Sequence, residues 1–162
     1  MTEDKAIVLG VPHTSAWDFV ISYLFYTQFG KEAHVMIKKE FFFWPVGPLL
    51  RKVGCIPVDR SNSVALVKSL IEEMDKVDTF HLAIAPEGTR KAIRKWKTGY
   101  HLIATKVGCP VYLGYFDWGR KRVSVGEKFA LTDDAKADTA RIQEHYETLG
   151  LKGKHEKDYV TH

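Results

Sequence analysis

A histidine and an aspartate five positions apart, His13 and Asp18, follow directly on the short apolar run Ala6–Val11. Imidazole is the side chain whose ordinary proton affinity suits a base at neutral pH. On one continuous helix, five residues carry about 500° of rotation and would turn the two side chains apart. The pair works if His13 stands in a loop and Asp18 in the first turn of the helix that follows. Asp18 can then accept the Nδ1–H of His13, fixing the tautomer and leaving Nε2 free as the base. A carboxylate near a helix start is also favoured by the helix dipole. Thr14 or Ser15 is placed to cap that helix.

Two further stretches carry groups suited to an anion. In Ala-Pro-Glu-Gly-Thr-Arg, residues 85–90, Gly88 allows close backbone approach or a positive φ. Thr89 offers a hydroxyl and Arg90 a planar fork for phosphate, while Glu87 can hold the arginine or a substrate hydroxyl. A plain strand-to-loop turn with an exposed salt bridge would read the same way. In Gly-Cys-Ile-Pro-Val-Asp-Arg, residues 54–60, Arg60 emerges where a strand ends. It is either a second phosphate ligand or a partner for Asp59 or a helix terminus.

The elements that must position these groups follow from periodicity. Buried strands are predicted at 5–11, 33–38, 55–59 and 80–86, and a strand pair at 110–118 and 121–130 around Gly119. Helices are predicted at 15–29, 46–53, 61–77, 97–107 (closed by Gly108) and 133–149, the third capped by Ser61 or Ser63. Strand and helix alternate, which implies an α/β fold: a single layered domain over 1–162 with a mostly parallel central sheet flanked by helices. In such sheets reacting groups collect beyond the carboxyl ends of the strands. His13, Arg60 and Glu87 all fall there.

Composition narrows the partners. With 162 residues and 45% hydrophobic content the chain can bury one sizeable core. The net charge of +4 is unevenly spread: no acid lies between Glu87 and Asp117, an interval holding Arg90, Lys91, Arg94, Lys95, Lys97 and Lys106. That block suits an anionic partner, or is a solvated basic face. Cys55 and Cys109 have no metal-ligand or disulfide spacing and read as small buried side chains in a reducing compartment. No metal site is expected. The longest apolar run, 41–50, is about half the roughly 20 residues that span a bilayer, and Met1–Lys5 is too polar for a signal peptide. With strand character already at residue 6, an anchoring segment upstream is left open.

Taken together, His-x4-Asp at 13–18, Gly-x-Ile-x-Val-x-Arg at 54–60, Glu-Gly-Thr-Arg at 87–90 and the Gly-Cys-Pro-Val-Tyr-Leu-Gly-Tyr stretch at 108–115 resemble the glycerolipid acyltransferase family. That group includes the glycerol-3-phosphate and 1-acylglycerol-3-phosphate acyltransferases. Order and spacing over 12–115 make the resemblance specific. Two departures are Pro12, where the family often has Asn, and the lack of the apolar N-terminal helices many members place on the bilayer.

The resemblance implies acyl transfer from an acyl-CoA or acyl-carrier-protein thioester to the hydroxyl of a phosphate-bearing lyso-lipid, 1-acylglycerol-3-phosphate first or another lyso-lipid such as an aminolipid. No cofactor is implied beyond the thioester co-substrate. His13 and Asp18 match the family's catalytic positions, and Arg60, Glu87, Gly88, Thr89 and Arg90 its acceptor-binding ones. Backbone N–H groups after His13 are expected to hold the oxyanion.

The apolar stretch 41–50, with Trp17, Phe19 and residues 20–25, is a candidate acyl-chain wall. Arg94, Lys95, Trp96 and Lys97, with Tyr100, interleave cations and aromatics and are expected to meet a membrane surface or an acidic carrier protein. The expected location is peripheral, on the cytoplasmic face of a membrane. Two rivals are a hydrolase using Ser15, which lacks a Gly-x-Ser-x-Gly elbow, and a non-enzymatic lipid- or phosphate-binding module indifferent to His13. No nucleic-acid-binding signature accompanies the basic block.

Overall fold

The first strand, β1 (Lys5–Val11), is apolar on both faces and takes the centre of the sheet, where both faces are covered. The computed structural model describes residues 3–160 apart from 29, 31, 32 and 60. Along the chain follow α1 (Trp17–Thr27), β2 (Ala33–Lys38), a 3-10 turn at Lys39–Phe41, α2 (Val46–Lys52), β3 (Cys55–Val58) and α3 (Ser63–Asp75). Then come β4 (Phe80–Ile84), α4 (Gly99–Val107), β5 (Val111–Asp117), β6 (Arg122–Ser124), β7 (Lys128–Phe129), α5 (Ala135–Thr148) and a 3-10 turn at Glu156–Asp158.

The strands run in the order β3-β2-β4-β1-β5-β6. β1 to β5 are mutually parallel, and β6 and β7 pair antiparallel with β5. The predicted α/β layered architecture is therefore present. The predicted strand 121–130 is divided instead. Gly126, at φ +74°, passes so close to the Leu113 carbonyl that no Cβ would fit there, and the strand is interrupted between β6 and β7.

Register places Leu82, Ile7 and Val111 side by side, and Ile84, Leu9 and Leu113 next to them. This face carries the main core, closed by Leu70 and Met74 of α3, Tyr100 and Ile103 of α4, and Ile142 and Tyr146 of α5. On the other face lies α1, over a small apolar cavity lined by Val8, Gly10, Tyr23, Tyr26, Gly114 and Phe116. Both cysteines are buried and free, and burial pushes each thiol up to about 11.

Two caps differ from expectation. Asn62, not Ser61 or Ser63, caps α3, its side-chain oxygen accepting the Ala65 N–H at 3.0 Å. No side chain caps α1 from the expected Thr14 or Ser15: the Thr14 hydroxyl accepts the His155 N–H at 3.3 Å, and the Ser15 hydroxyl accepts only from Trp17 at 3.2 Å.

The basic block also differs. Trp96 is 5% exposed and packs on Tyr146 with ring centroids 5.9 Å apart, while the hydroxyl of Tyr100 is paired with Thr139 at 2.8 Å. Trp96, in the irregular stretch before α4, and Tyr100 and Ile103 of α4 all turn into the core. Trp96 is therefore no membrane or carrier contact, and only Arg94, Lys95 and Lys97 of that set are exposed. The exposed aromatics lie elsewhere. Trp17 opens α1 after β1, and Phe41, Phe43 and Trp44 follow β2; parallel strands bring both loops to the carboxyl edge of the sheet. The expected acyl wall at 41–50 is thus open surface rather than a lined slot, with Trp44 84% exposed.

Candidate active site

The loop between β1 and α1 is folded around one carboxylate. Asp18 is 1% exposed, and its Oδ2 accepts the N–H of Thr14 at 2.9 Å and of Ser15 at 2.8 Å. The same oxygen lies 3.3 Å from Nδ1 of His13. That distance is slightly longer than the usual N–H···O range, on an oxygen that two backbone amides already share. Oδ1 accepts the indole N–H of Trp118 at 2.7 Å. With Nδ1 turned to Asp18, Nε2 faces away from it, and the His13 side chain keeps 27% of its surface exposed. His13 and Asp18 are thus brought together as the spacing predicts, a loop residue and a first-turn residue.

Other backbone groups of this loop are engaged in holding it. The His13 N–H donates to Oε2 of Glu87 at 2.9 Å, and the N–H groups of Thr14 and Ser15 point at Asp18. These three amides are therefore not the expected oxyanion donors. Ser15 is 6% exposed and its hydroxyl is turned to the Trp17 N–H, which removes the basis for its use as a nucleophile.

Glu87 departs from its expected role. It is 5% exposed beneath the His13 loop rather than lining the cleft, so it holds that loop instead of facing an acceptor. Burial pushes its carboxyl up to about 8; the His13 N–H opposes this and the nearby charge of Asp18 adds to it.

The folded chain thus holds that proton up to about pH 8, the unfolded chain only to about 4.5. Stability from this group is full below 4.5 and falls, by about 1.4 kcal/mol per pH unit, as pH rises toward 8. Glu87→Gln keeps a carbonyl oxygen for the His13 N–H and abolishes that slope. Its melting temperature should exceed that of wild type at pH 8 and equal it near pH 4.5. A difference between the two that is the same at both pH values would refute the assignment.

The Glu-Gly-Thr-Arg loop turns sharply after β4. The Gly88 N–H donates to the Ala85 carbonyl at 3.0 Å, and its φ of +67° is one glycine adopts readily. The Thr89 hydroxyl accepts the Lys91 N–H at 3.2 Å, so it shapes the loop. Arg90 is exposed and reaches an open cleft of about 680 Å³, lined also by Thr14, Ser15, Trp17, Lys91 and Lys154. Arg60 lies outside the described residues. Asp59 before it is bound to Lys39 and to the Ser61 N–H, and β3 stands three strands from β1, about 14 Å at ~4.8 Å per strand.

Three groups were not foreseen from sequence. Trp118 begins the loop after β5, next to β1, where the carboxyl-edge rule would have pointed to it. Lys91 sits inside the basic block but was not set apart from its neighbours. Lys154 and its neighbours carry no periodic signal. A second histidine–aspartate pair, His101–Asp138 at 3.1 Å, is shut off from solvent at 7% and 0% exposure and ties α4 to α5.

A partly exposed imidazole backed by a buried carboxylate thus stands beside a cationic cleft at the carboxyl edge of a parallel sheet. The chain belongs to the acyltransferase family, in its glycerolipid group: the family model described as Acyltransferase matches residues 1–112. The matched span holds His13, Asp18, Arg60 and residues 87–90, and stops short of Trp118 and Lys154. Comparison with curated proteins and with solved structures gave no match.

Proposed function

We propose that this lipid acyltransferase moves a fatty acyl group from an acyl-CoA or acyl-carrier-protein thioester to the free hydroxyl of a phosphate-bearing lyso-lipid, 1-acylglycerol-3-phosphate being the first choice. The observation that carries this reading is the His13–Asp18 pair, its ring partly exposed and its carboxylate buried, in a loop whose next residues, Thr14 to Trp17, line a cleft with Arg90 and Lys91. An alcohol attacks a thioester poorly until its proton is removed. Nε2 of His13 takes that proton as the oxygen bonds to the thioester carbon. The tetrahedral intermediate then expels the thiolate, which recovers the proton from His13. Asp18 holds the ring and balances the imidazolium charge that forms between these steps. Arg90 holds the phosphate and so places the hydroxyl.

Work at the cytoplasmic face of a membrane fits the same edge of the sheet. Trp17, Phe41, Phe43 and Trp44 are exposed there, and the exposed Arg94, Lys95 and Lys97 follow β4 from that edge. Aromatics at headgroup depth and cations against anionic lipid are the ordinary interfacial combination. Charge reversal at Arg94, Lys95 and Lys97 should weaken co-sedimentation with anionic vesicles, and unchanged binding would remove them from that role. The central test is a matrix of acyl-CoA and acyl-carrier-protein donors against lyso-lipid acceptors. Transfer to at least one phosphate-bearing acceptor is expected; release of free fatty acid regardless of acceptor would favour hydrolysis instead.

A further inference from the structure

We propose that the C-terminal segment 150–160 forms the second cationic wall of the acceptor site, and that Lys154 and Lys157 select a phosphomonoester headgroup over a phosphodiester. This deepens, and rests on, the acyl-transfer reading above. The segment lies wholly beyond the residues the family model matches.

It is not a loose tail. Leu151 is buried, and the Trp118 N–H donates to the Lys152 carbonyl at 2.9 Å. Gly153 packs so closely on Thr14 that a Cβ would come within 2.6 Å of its methyl group. The His155 N–H donates to the Thr14 hydroxyl, and Asp158 pairs with Lys91 at 3.2 Å. One short segment is thus fastened both to the His13 loop and to the loop carrying Arg90.

This fastening sets the charges of the cleft. Nζ of Lys154 lies 4.9 Å from the Trp17 ring and 4.8 Å from the Trp118 ring, so two indole faces fix the ammonium in place. Trp118 is also the donor to Asp18, which ties the position of this cation to that of the base. Lys157 lines the same cleft. Among the described residues Asp158 is the sole acid lining it and is already paired with Lys91, which leaves Arg90, Lys154 and Lys157 facing the space as uncompensated charge. A phosphomonoester carries about −1.5 to −2 at pH 7, a diester close to −1. Three cations around one cleft therefore reward the monoester more, and a choline or similar cap would set a fourth cation among them.

The test uses calorimetric titration of the whole chain with a short-chain lyso-lipid phosphomonoester and with the same lipid capped as its choline diester. Wild type should bind the monoester more tightly. Lys154→Gln and Lys157→Gln should each weaken monoester binding about tenfold, close to the loss of one charge-assisted contact, and change diester binding far less. Because Lys154 touches Trp118, Lys157→Gln is the cleaner variant, and its melting temperature should match wild type. Equal affinity of wild type for both lipids, or unchanged monoester binding in Lys157→Gln, overturns the proposal. Binding is read without turnover, so the two readings fail separately. Selective binding without acyl transfer would sink the acyl-transfer reading alone. Transfer with unaltered affinities in both lysine variants would sink this one alone.

Discussion

Replacing His13 by alanine should lower the acyl-transfer rate by about 10²–10⁴-fold while leaving the fold intact. The expectation of a kinetic loss without a structural one comes from how the loop is held. The bond from His13 to Glu87 is made by the backbone N–H, which alanine retains. Asp18 loses the imidazole but keeps the N–H groups of Thr14, Ser15 and Trp118. The side chain is 27% exposed, so its removal opens no closed cavity. The loss should fall on kcat, with the acceptor KM nearly unchanged, because the proposed mechanism has the imidazole act on the reacting proton and Arg90 on the headgroup. Initial rates against acceptor concentration, with a melting curve for each protein, separate these effects. Turnover by His13→Ala equal to wild type would end the general-base mechanism.

Much of the frame was legible because it rests on local patterns. The apolar runs of β1 and β2 end where hydrophobicity ends, and the helical stripe Leu66, Leu70, Met74 predicts α3 to within about two residues. The loop-plus-first-turn placement of His13 and Asp18 was legible for a geometric reason, since five residues cannot share a helical face. What was lost depends on depth, which spacing does not report. Glu87 reads as a substrate group among Gly, Thr and Arg, yet it is buried under the loop it supports. Trp96 reads as interfacial beside Arg94, Lys95 and Lys97, but it stands in the irregular stretch before α4, where no period reports depth, and turns into the core while the cations stay exposed. The part Asp18 plays in its loop escaped because it runs backwards: from inside the helix it reaches back to the amides of Thr14 and Ser15. Trp118 reaches Asp18, and Lys154 reaches Trp17, across 100 or more positions of chain, and no window of sequence contains those contacts.

Asp18→Asn should reduce kcat by about 10³-fold or more, and unlike the histidine change it should also cost stability. Asp18 is nearly fully buried and surrounded by donors alone: two backbone amides and the imidazole at Oδ2, and the indole at Oδ1. An asparagine must put an NH2 at one of those two places. At the Oδ2 position it would oppose three N–H groups, so the amide will turn its nitrogen toward Trp118 and its oxygen toward the loop. The loop then survives with one donor pair opposed, a loss of about 1–3 kcal/mol measurable as a lower denaturation midpoint in urea. The catalytic loss has a different origin. A neutral amide oxygen can still orient Nδ1–H, but it no longer balances the imidazolium that forms when the acceptor proton is taken. The rate should therefore fall far more than the affinity for acceptor. Trp118→Phe divides the two effects: it removes the indole donor and keeps the carboxylate, so it should reproduce part of the stability loss with only a small part of the rate loss. If Asp18→Asn turned over like wild type at the same urea midpoint, Asp18 would be neither partner to the base nor keystone of its loop.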